Sequence, residues 1–283
     1  MKNFISAVNR YVLLTGLSLS ALTLSSCDKE NILPATPGAP TTPTTPSPGT
    51  PPPVTNPPGT PPPNTTPPPV STNSLLKQLG TKNFRYDAQN RLVELSYSDL
   101  THLGYTVAYE GDKPVRLNFK TGGNYLIYTY DGDKVVEAVR YYGENLVNYR
   151  YKLEYSGNKL VKKTTMSYTA DPEGRLGIET YTYDANGNLT EIVVAWSTSN
   201  KPEDMGRPYV ISWGSYDNKP NPTPYAESDL YLPGVKLFEN NPGYRDEELF
   251  TYTYHESGMP SQRYTRLQSH PSMPPLVTTY LYQ

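Results

Sequence analysis

The chain has 283 residues, with 25 Lys and Arg against 27 Asp and Glu, so its formal net charge is only −2. This balance argues against a nucleic-acid-binding protein, because binding to phosphates requires an excess of basic side chains. The single cysteine excludes an intramolecular disulfide, so a folded domain must be stabilised by its core and its backbone pairing.

The first 26 residues have the pattern of a secretory signal peptide. Met1 to Arg10 carries two basic residues and no acidic one, and the run from Val12 to Leu24 is apolar and ends in small side chains. This run is shorter than the roughly 20 residues that cross a bilayer as a helix. We expect the segment to be removed rather than kept as an anchor.

Leu24-Ser25-Ser26-Cys27 contains the only cysteine of the chain. The tetrapeptide is similar to the bacterial lipobox, in which the thiol receives diacylglycerol, acyl chains such as palmitate anchor the protein, and the chain is cut before the cysteine. Each buried methylene contributes about 0.8 kcal/mol, so more than one acyl chain holds a protein firmly on a membrane. The motif predicts a lipoprotein with lipid attached at Cys27 and a lipidated N-terminus over residues 27–33; the alternative is an ordinary cleavage site.

Asp28, directly after the cysteine, bears on which membrane receives the protein. The enterobacterial sorting rule would place it in the inner membrane, whereas acidic residues here resemble the export signal of Bacteroidota lipoproteins. We expect a lipid anchor in the outer membrane, with the rest of the chain facing the periplasm or the cell surface.

Residues 34–70 are predicted to be a disordered stalk rich in Pro and Thr. From Pro34 to Pro69 there is no charged and no aromatic residue, and such a segment cannot build a core. At about 3.1 Å per residue in polyproline II, it would reach up to roughly 100 Å. The alternative is a proline-rich ligand for a recognition domain.

Residues 71–283 contain a repeated unit, in which two aromatic residues flank a polar one and an Asp-, Asn- and Gly-rich turn leads to Leu or Val. Clear copies start at Phe84, Tyr128 and Tyr181, and looser copies start at Val107, Tyr151 and Tyr252. Alternating aromatic residues favour strands and the turn residues favour hairpins. The sequence predicts an all-β domain, an antiparallel meander of consecutive hairpins with little helix.

The regular pattern is interrupted between Ser197 and Leu249, where prolines cluster at 220–224. We expect this excursion to carry a special task or to plug the end of the sheet, with a short helix at 226–232. A further helical turn or two is predicted at 73–80, between a capping Asn73 and Gly80.

The unit at Tyr181 to Leu189 resembles the YD repeat of Rhs-type proteins. Closer is the resemblance to a Bacteroidota lipoprotein family described as a domain of unknown function with a porin-like fold, which rests on the lipobox, the Tyr-Asp hairpins, the stretch Tyr216 to Pro222 and the late hairpin at Tyr252 to Tyr254. It implies a curved or barrel-like antiparallel sheet and brings no catalytic residue.

No catalytic, metal or cofactor motif is recognised. The histidines lack metal-ligand spacing, and Asp184 to Asn188, which has some letters of a calcium loop, fits turn chemistry better. Glu94, Glu137 and Glu191 recur at equivalent repeat positions, which favours a solvated sheet face over a catalytic pair.

The sequence therefore predicts a non-catalytic envelope lipoprotein whose β-domain binds a glycan, a peptide or an envelope protein, or has a structural role. Candidate stacking residues are Trp196, Trp213, Tyr128, Tyr130, Tyr181, Tyr183, Tyr252 and Tyr254. The alternative is a secreted carbohydrate-active or other hydrolase whose carboxylates meet only in the fold. A membrane-spanning pore is disfavoured, because charged residues occur on both faces of the predicted strands.

Overall fold

The computed structural model describes residues 70–283, in which sixteen β-strands alternate with turns and loops. The predicted signal peptide, the predicted lipidated segment 27–33 with Cys27, and residues 34–69 of the predicted stalk lie outside the described residues. The strands are β1 (Leu76–Leu79), β2 (Lys82–Tyr86), β3 (Leu92–Tyr97), β4 (Gly104–Glu110), β5 (Lys113–Phe119), β6 (Tyr125–Asp131), β7 (Lys134–Tyr142), β8 (Leu146–Ser156), β9 (Lys159–Ser167), β10 (Arg175–Tyr183), β11 (Leu189–Trp196), β12 (Tyr209–Gly214), β13 (Tyr244–Arg245), β14 (Glu248–Tyr254), β15 (Pro260–Leu267) and β16 (Leu276–Tyr282).

The strands of the described chain form one closed barrel in sequence order, each paired antiparallel with its neighbours. Closure is made by β1, in which Leu76 pairs with Tyr282 of β16 and Leu79 pairs with Lys82 of β2. The predicted all-β meander is confirmed, and the sheet closes. The only helix among residues 70–283 is a 3-10 turn at Pro202–Asp204.

Two expected helices are wrong. The segment after Asn73 is strand β1, and residues 226–232 of the excursion are irregular, with an isolated antiparallel bridge between Ala226 and Tyr231. The pairing of β1 with β16, and the hydrogen bonds from Lys82 and Tyr128 to the carbonyls of Ala226 and Tyr231, outweigh a weak local helical preference. No helix in residues 70–283 is long and apolar enough to cross a membrane.

The two ends of the barrel differ. The Asp-turn end carries the short turns of the repeats, where Asp87 Oδ1 accepts from the backbone of Gln89 and Arg91 at 3.0 and 2.9 Å, and Asp184 repeats this arrangement. The long-loop end carries the longer connections, such as residues 168–174 and 197–208. Strand β1 starts and strand β16 finishes at the Asp-turn end, since Leu76 and Tyr282 pair there.

The wall of the barrel alternates between an outward polar face and an inward apolar one. Outward Glu94 makes ion pairs with Arg85 and Lys120 at 3.0 Å, and outward Glu137 pairs with Arg150 at 2.8 Å. These glutamates are on a solvated face, as predicted. Inward leucines of the repeats, among them Leu95, Leu117 and Leu126, are completely buried.

The excursion folds back into the barrel, and we call residues 215–243 the plug. Its Tyr225, Leu230 and Leu232 belong to the same buried core as the strands. Two buried hydrogen bonds attach it to the wall: Lys82 Nζ donates to the Ala226 carbonyl at 3.1 Å, and the Tyr128 hydroxyl donates to the Tyr231 carbonyl at 2.6 Å.

Candidate functional site

A cavity of about 460 Å³ lies inside the barrel, between the plug and the inward faces of strands from β7 to β16 and of β1 and β2. Its lining extends to Thr169 and Ala170, which are exposed in the loop after β9. The cavity therefore reaches the surface at the long-loop end.

The lining combines aromatic rings with charged groups. The aromatic residues are Tyr149, Tyr151, Tyr181, Trp196, Tyr209, Trp213, Tyr225, Phe238, Phe250, Tyr252 and Tyr280. The charged residues are Lys82, Arg140, Lys163, Arg175, Glu179, Glu227, Asp229, Arg245 and Arg263. Six cations thus face the cavity together with three carboxylates.

The structure brings four of the eight proposed stacking residues into this cavity: Trp196, Trp213, Tyr181 and Tyr252. The other four make hydrogen bonds elsewhere. Tyr128 bonds the plug, Tyr130 and Tyr183 donate to the carbonyls of Pro114 and Leu160, and Tyr254 donates to Asp217.

Both tryptophans are held by specific neighbours. Trp196 pairs in register with Gly177 of β10, and a Cβ at Gly177 would lie 2.8 Å from the indole ring, so only glycine fits beneath it. Trp213 lies against Phe238 of the plug, with ring centroids 5.9 Å apart. The cavity walls are therefore fixed by both the barrel and the plug.

A buried ion pair crosses neighbouring strands at the cavity. Lys163 Nζ of β9 is 3.0 Å from Glu179 of β10, and the Tyr181 hydroxyl donates to the same carboxylate at 2.7 Å. Burial alone would lower the pKa of Lys163, but the attractions of Glu179, Tyr225 and Asp229 together outweigh it and raise that pKa. Burial, together with Glu179, raises the pKa of the Tyr181 hydroxyl, which therefore stays protonated and remains a donor.

The other two carboxylates of the cavity belong to the plug. Asp229 accepts a hydrogen bond from the Tyr151 hydroxyl at 3.0 Å, and Glu227 lies 3.7 Å from Lys82 Nζ. Within residues 70–283, no group of three or more His, Cys, Asp or Glu side chains is placed to hold a metal ion.

Arg263 lines the cavity and is one of the charged residues that were not predicted from the sequence to be part of a site. It lies on β15, is 7% exposed, and packs its guanidinium over the Phe250 ring at 4.9 Å. Its buried Nε and Nη2 have no hydrogen-bond acceptor among the described residues. Its inward direction is not evident from the residue pattern, because a register shift beside Pro260 changes which residues of the strand face inward.

No protein-family model and no curated protein matches this chain. It is similar in structure to a porin-like protein from Bacteroides vulgatus, with a TM-score of 0.51 and 13% identity over 75% of this chain and 99% of that one. A porin-like protein from Bacteroides uniformis has a TM-score of 0.47 and 13% identity, and the match covers 74% of this chain and 94% of that one. The first of these likenesses shows a shared porin-like fold.

Proposed function

We propose that the protein is a non-catalytic envelope lipoprotein whose barrel binds a small ligand in its internal cavity. The observation that carries this proposal is the cavity itself. Its volume of about 460 Å³ falls within the range of about 300–1,000 Å³ that is usual for ligand pockets. Fixed aromatic walls with a few charged groups are the lining that such pockets have.

A small-molecule site is favoured over a pore by the contents of the barrel. A channel needs an open lumen, whereas the plug contributes Tyr225, Leu230 and Leu232 to a buried core inside this barrel. The outer wall also carries charged groups at mid-strand, such as Glu94, Glu137 and Lys162. A charge facing lipid near the bilayer midplane costs up to about 2–4 kcal/mol, so we propose that this wall faces water.

The anchor in this proposal is lipid on Cys27, which would hold the barrel at the outer membrane. The sole thiol of the chain and the apolar run before it support this assignment. Metabolic labelling with palmitate should mark the native chain and should fail with Cys27→Ala, which should also leave the membrane fraction. An unlabelled native chain would remove the anchor from the proposal.

The binding role is tested by filling the cavity. Ser167 of β9 is buried and lines it, whereas Thr164 on the same strand points outward, opposite Ile178. In a thermal-shift panel of neutral and acidic sugars and short peptides, we expect a ligand to raise the Tm of the native chain and of Thr164→Trp, but not of Ser167→Trp.

Ser167→Trp must retain the circular dichroism of the native chain for this comparison, and Ser167→Phe is the smaller substitute if it does not. A ligand that stabilises the filled variant as much as the native chain places binding outside the cavity. A panel without any stabilising compound contradicts the proposed function.

A hydrolase is the second candidate, and it is favoured by one observation: Glu179, Glu227 and Asp229 line the same cavity. We place it second because Glu179 is neutralised by Lys163, and each of the other two already contacts a cation or a hydroxyl. Release of reducing ends from envelope or host oligosaccharides, lost in Glu179→Gln, would reverse this order.

A further inference from the structure

We infer that the cavity binds an oxyanion carried on a ring-shaped ligand, and that Arg263 is the residue that receives the anion. This inference rests on the proposed function, since it names the class of ligand for the same cavity. It depends on a buried cation with two N–H groups that lack a hydrogen-bond acceptor among the described residues, on the charge of the lining, and on the aromatic walls.

The first observation is the state of the Arg263 side chain. The residue is 7% exposed and lines the cavity, yet its buried Nε and Nη2 meet no acceptor in residues 70–283. Thr265, the next inward residue on β15, also has a buried hydroxyl without a partner in that range. Buried guanidinium N–H groups without an acceptor are strongly unfavourable, so this arrangement is expected at a binding site rather than in a core.

The second observation is that the strand partners of Arg263 and the ring beneath its guanidinium are all uncharged. Its partners across β14 and β16 are Tyr252 and Thr278, and its guanidinium packs on Phe250. The buried Lys163, by contrast, has Glu179 at 3.0 Å. The two sites differ because one buried cation is paired within the protein, whereas the other keeps its donors for a ligand.

The third observation is the charge of the lining, where six cations face three carboxylates, and of the six only Arg245 is also near a carboxylate of residues 70–283 outside the lining, that of Glu248 at 3.7 Å. Arg140 belongs to this excess, and its buried Nε also has no acceptor among the described residues. It lies on β7, eight strands from β15 in a closed sheet of sixteen described strands, and so on the opposite wall. The cavity is thus electropositive from both sides.

These features select the ligand class. The planar guanidinium donates two parallel hydrogen bonds to two oxygens of a carboxylate, sulfate or phosphate. Trp196, Trp213 and Tyr252 offer flat apolar surfaces for the body of the same molecule. A ring with one acidic substituent, such as an acidic sugar or an aromatic acid, satisfies both requirements.

The test compares acids with neutral compounds of the same shape, using the full-length chain. The probe pairs are glucuronate with glucose and benzoate with benzyl alcohol, and binding is measured by calorimetry at low and high salt. We expect the acid to bind more tightly in at least one pair, and high salt to weaken that binding. The pair in which the acid binds more tightly shows whether the cavity prefers a sugar acid or an aromatic acid.

Two variants locate the anion. Arg263→Met keeps the length of the side chain without its charge, and should weaken binding of the acid about 10- to 100-fold, with Arg263→Lys in between. The matched control is Arg116→Met, because Arg116 is an outward strand residue that stacks on Tyr125 at 3.8 Å; it should bind the acid as the native chain does.

Ligand-free stability separates binding from a structural role. If Arg263 serves to bind an anion, its charge is uncompensated in the ligand-free protein. The Arg263→Met variant lacks that buried charge and should unfold at the same temperature as the native chain or higher. A lowered Tm together with unchanged acid binding would make Arg263 a structural residue and overturn the inference.

Two further outcomes also overturn it. If the acid and its neutral partner bind equally in both pairs, the cavity binds ligands but does not select anions, and the proposed function stands without the inference. If neither pair binds, this ligand class is wrong, while the proposed function is judged by the wider panel and the filled-cavity variants.

Discussion

Individual side chains explain why the Tyr-Asp unit recurs in this chain. The second tyrosine of a unit donates its hydroxyl to the carbonyl of a residue that begins an earlier strand, as in Tyr109 to Leu92, Tyr130 to Pro114 and Tyr183 to Leu160. The cation after a turn reaches the following turn and stacks on such a tyrosine, as Lys113 does with Gly132 and Tyr130. Each unit therefore binds its neighbour as well as forming its own hairpin.

The paired cation Lys163 gives a prediction at this scale. Removing either partner alone, as Lys163→Met or Glu179→Leu, leaves a buried charge and should lower the free energy of unfolding by about 3–5 kcal/mol. The double variant should lose much less than the sum of the two. Urea denaturation of the four proteins measures the coupling.

The control pair is Lys162, the residue before Lys163, and Glu154, which lie on the outward face 2.8 Å apart. Its removal should cost about 0–1 kcal/mol, because both side chains are in contact with water. Equal losses at the two pairs would show that the inner pair is as well solvated as the outer one.

At the level of elements, the barrel and the plug are joined through one copy of the repeat. Asn188 is completely buried, and its Oδ1 accepts from the backbone amides of Glu239 and Asn240 at 2.9 and 2.8 Å. In the first copy, the corresponding position is Arg91, which bonds Asp87 of its own turn. The hairpin of β10 and β11 is thus adapted to hold the plug.

Asn188→Ala should therefore destabilise the protein by about 1–3 kcal/mol for each plug amide that stays buried without an acceptor. It should also expose residues 215–243 to limited proteolysis. Asn186→Ala, in the same turn but exposed, is the control and should change neither property. If both variants are cut at the native rate, the plug does not depend on this contact.

At the level of the whole molecule, closure of the barrel depends on the short first strand, β1. Strand β1 has four residues and joins β16 to β2. Without it, two strands would present unpaired edges, which promotes association between molecules.

We expect a fragment that begins at Thr81 to aggregate, whereas one that begins at Asn73 should stay monomeric and cavity-competent. The two fragments differ in whether β1 is present, and size-exclusion chromatography with light scattering separates the outcomes. A monomeric, fully stable fragment from Thr81 would mean that closure by β1 is dispensable.

The fold was predictable from the sequence because its signals are local. Alternating tyrosines specify strands, and Asp87 and Asp184 form the predicted turns with their own backbone amides. Closure was not predictable, since Leu76 and Tyr282 pair although they lie at opposite ends of the domain sequence, and no local pattern at either residue indicates its partner. Half of the predicted stacking residues reach the cavity, and Arg263 was not predicted. The direction of a side chain depends on register shifts between strands, and the position of the cavity depends on the plug. Both are tertiary features.

The position of β1 has a consequence for how the molecule is held. The described chain enters at the Asp-turn end, beside Tyr282, and the cavity reaches the surface at the other end, beside Thr169. The entry of the described chain and the cavity opening therefore lie at opposite ends of the barrel. If the proposed lipid anchor is correct, the protein would be attached from the end away from the opening, so a diffusing solute could reach the cavity without passing the attachment point.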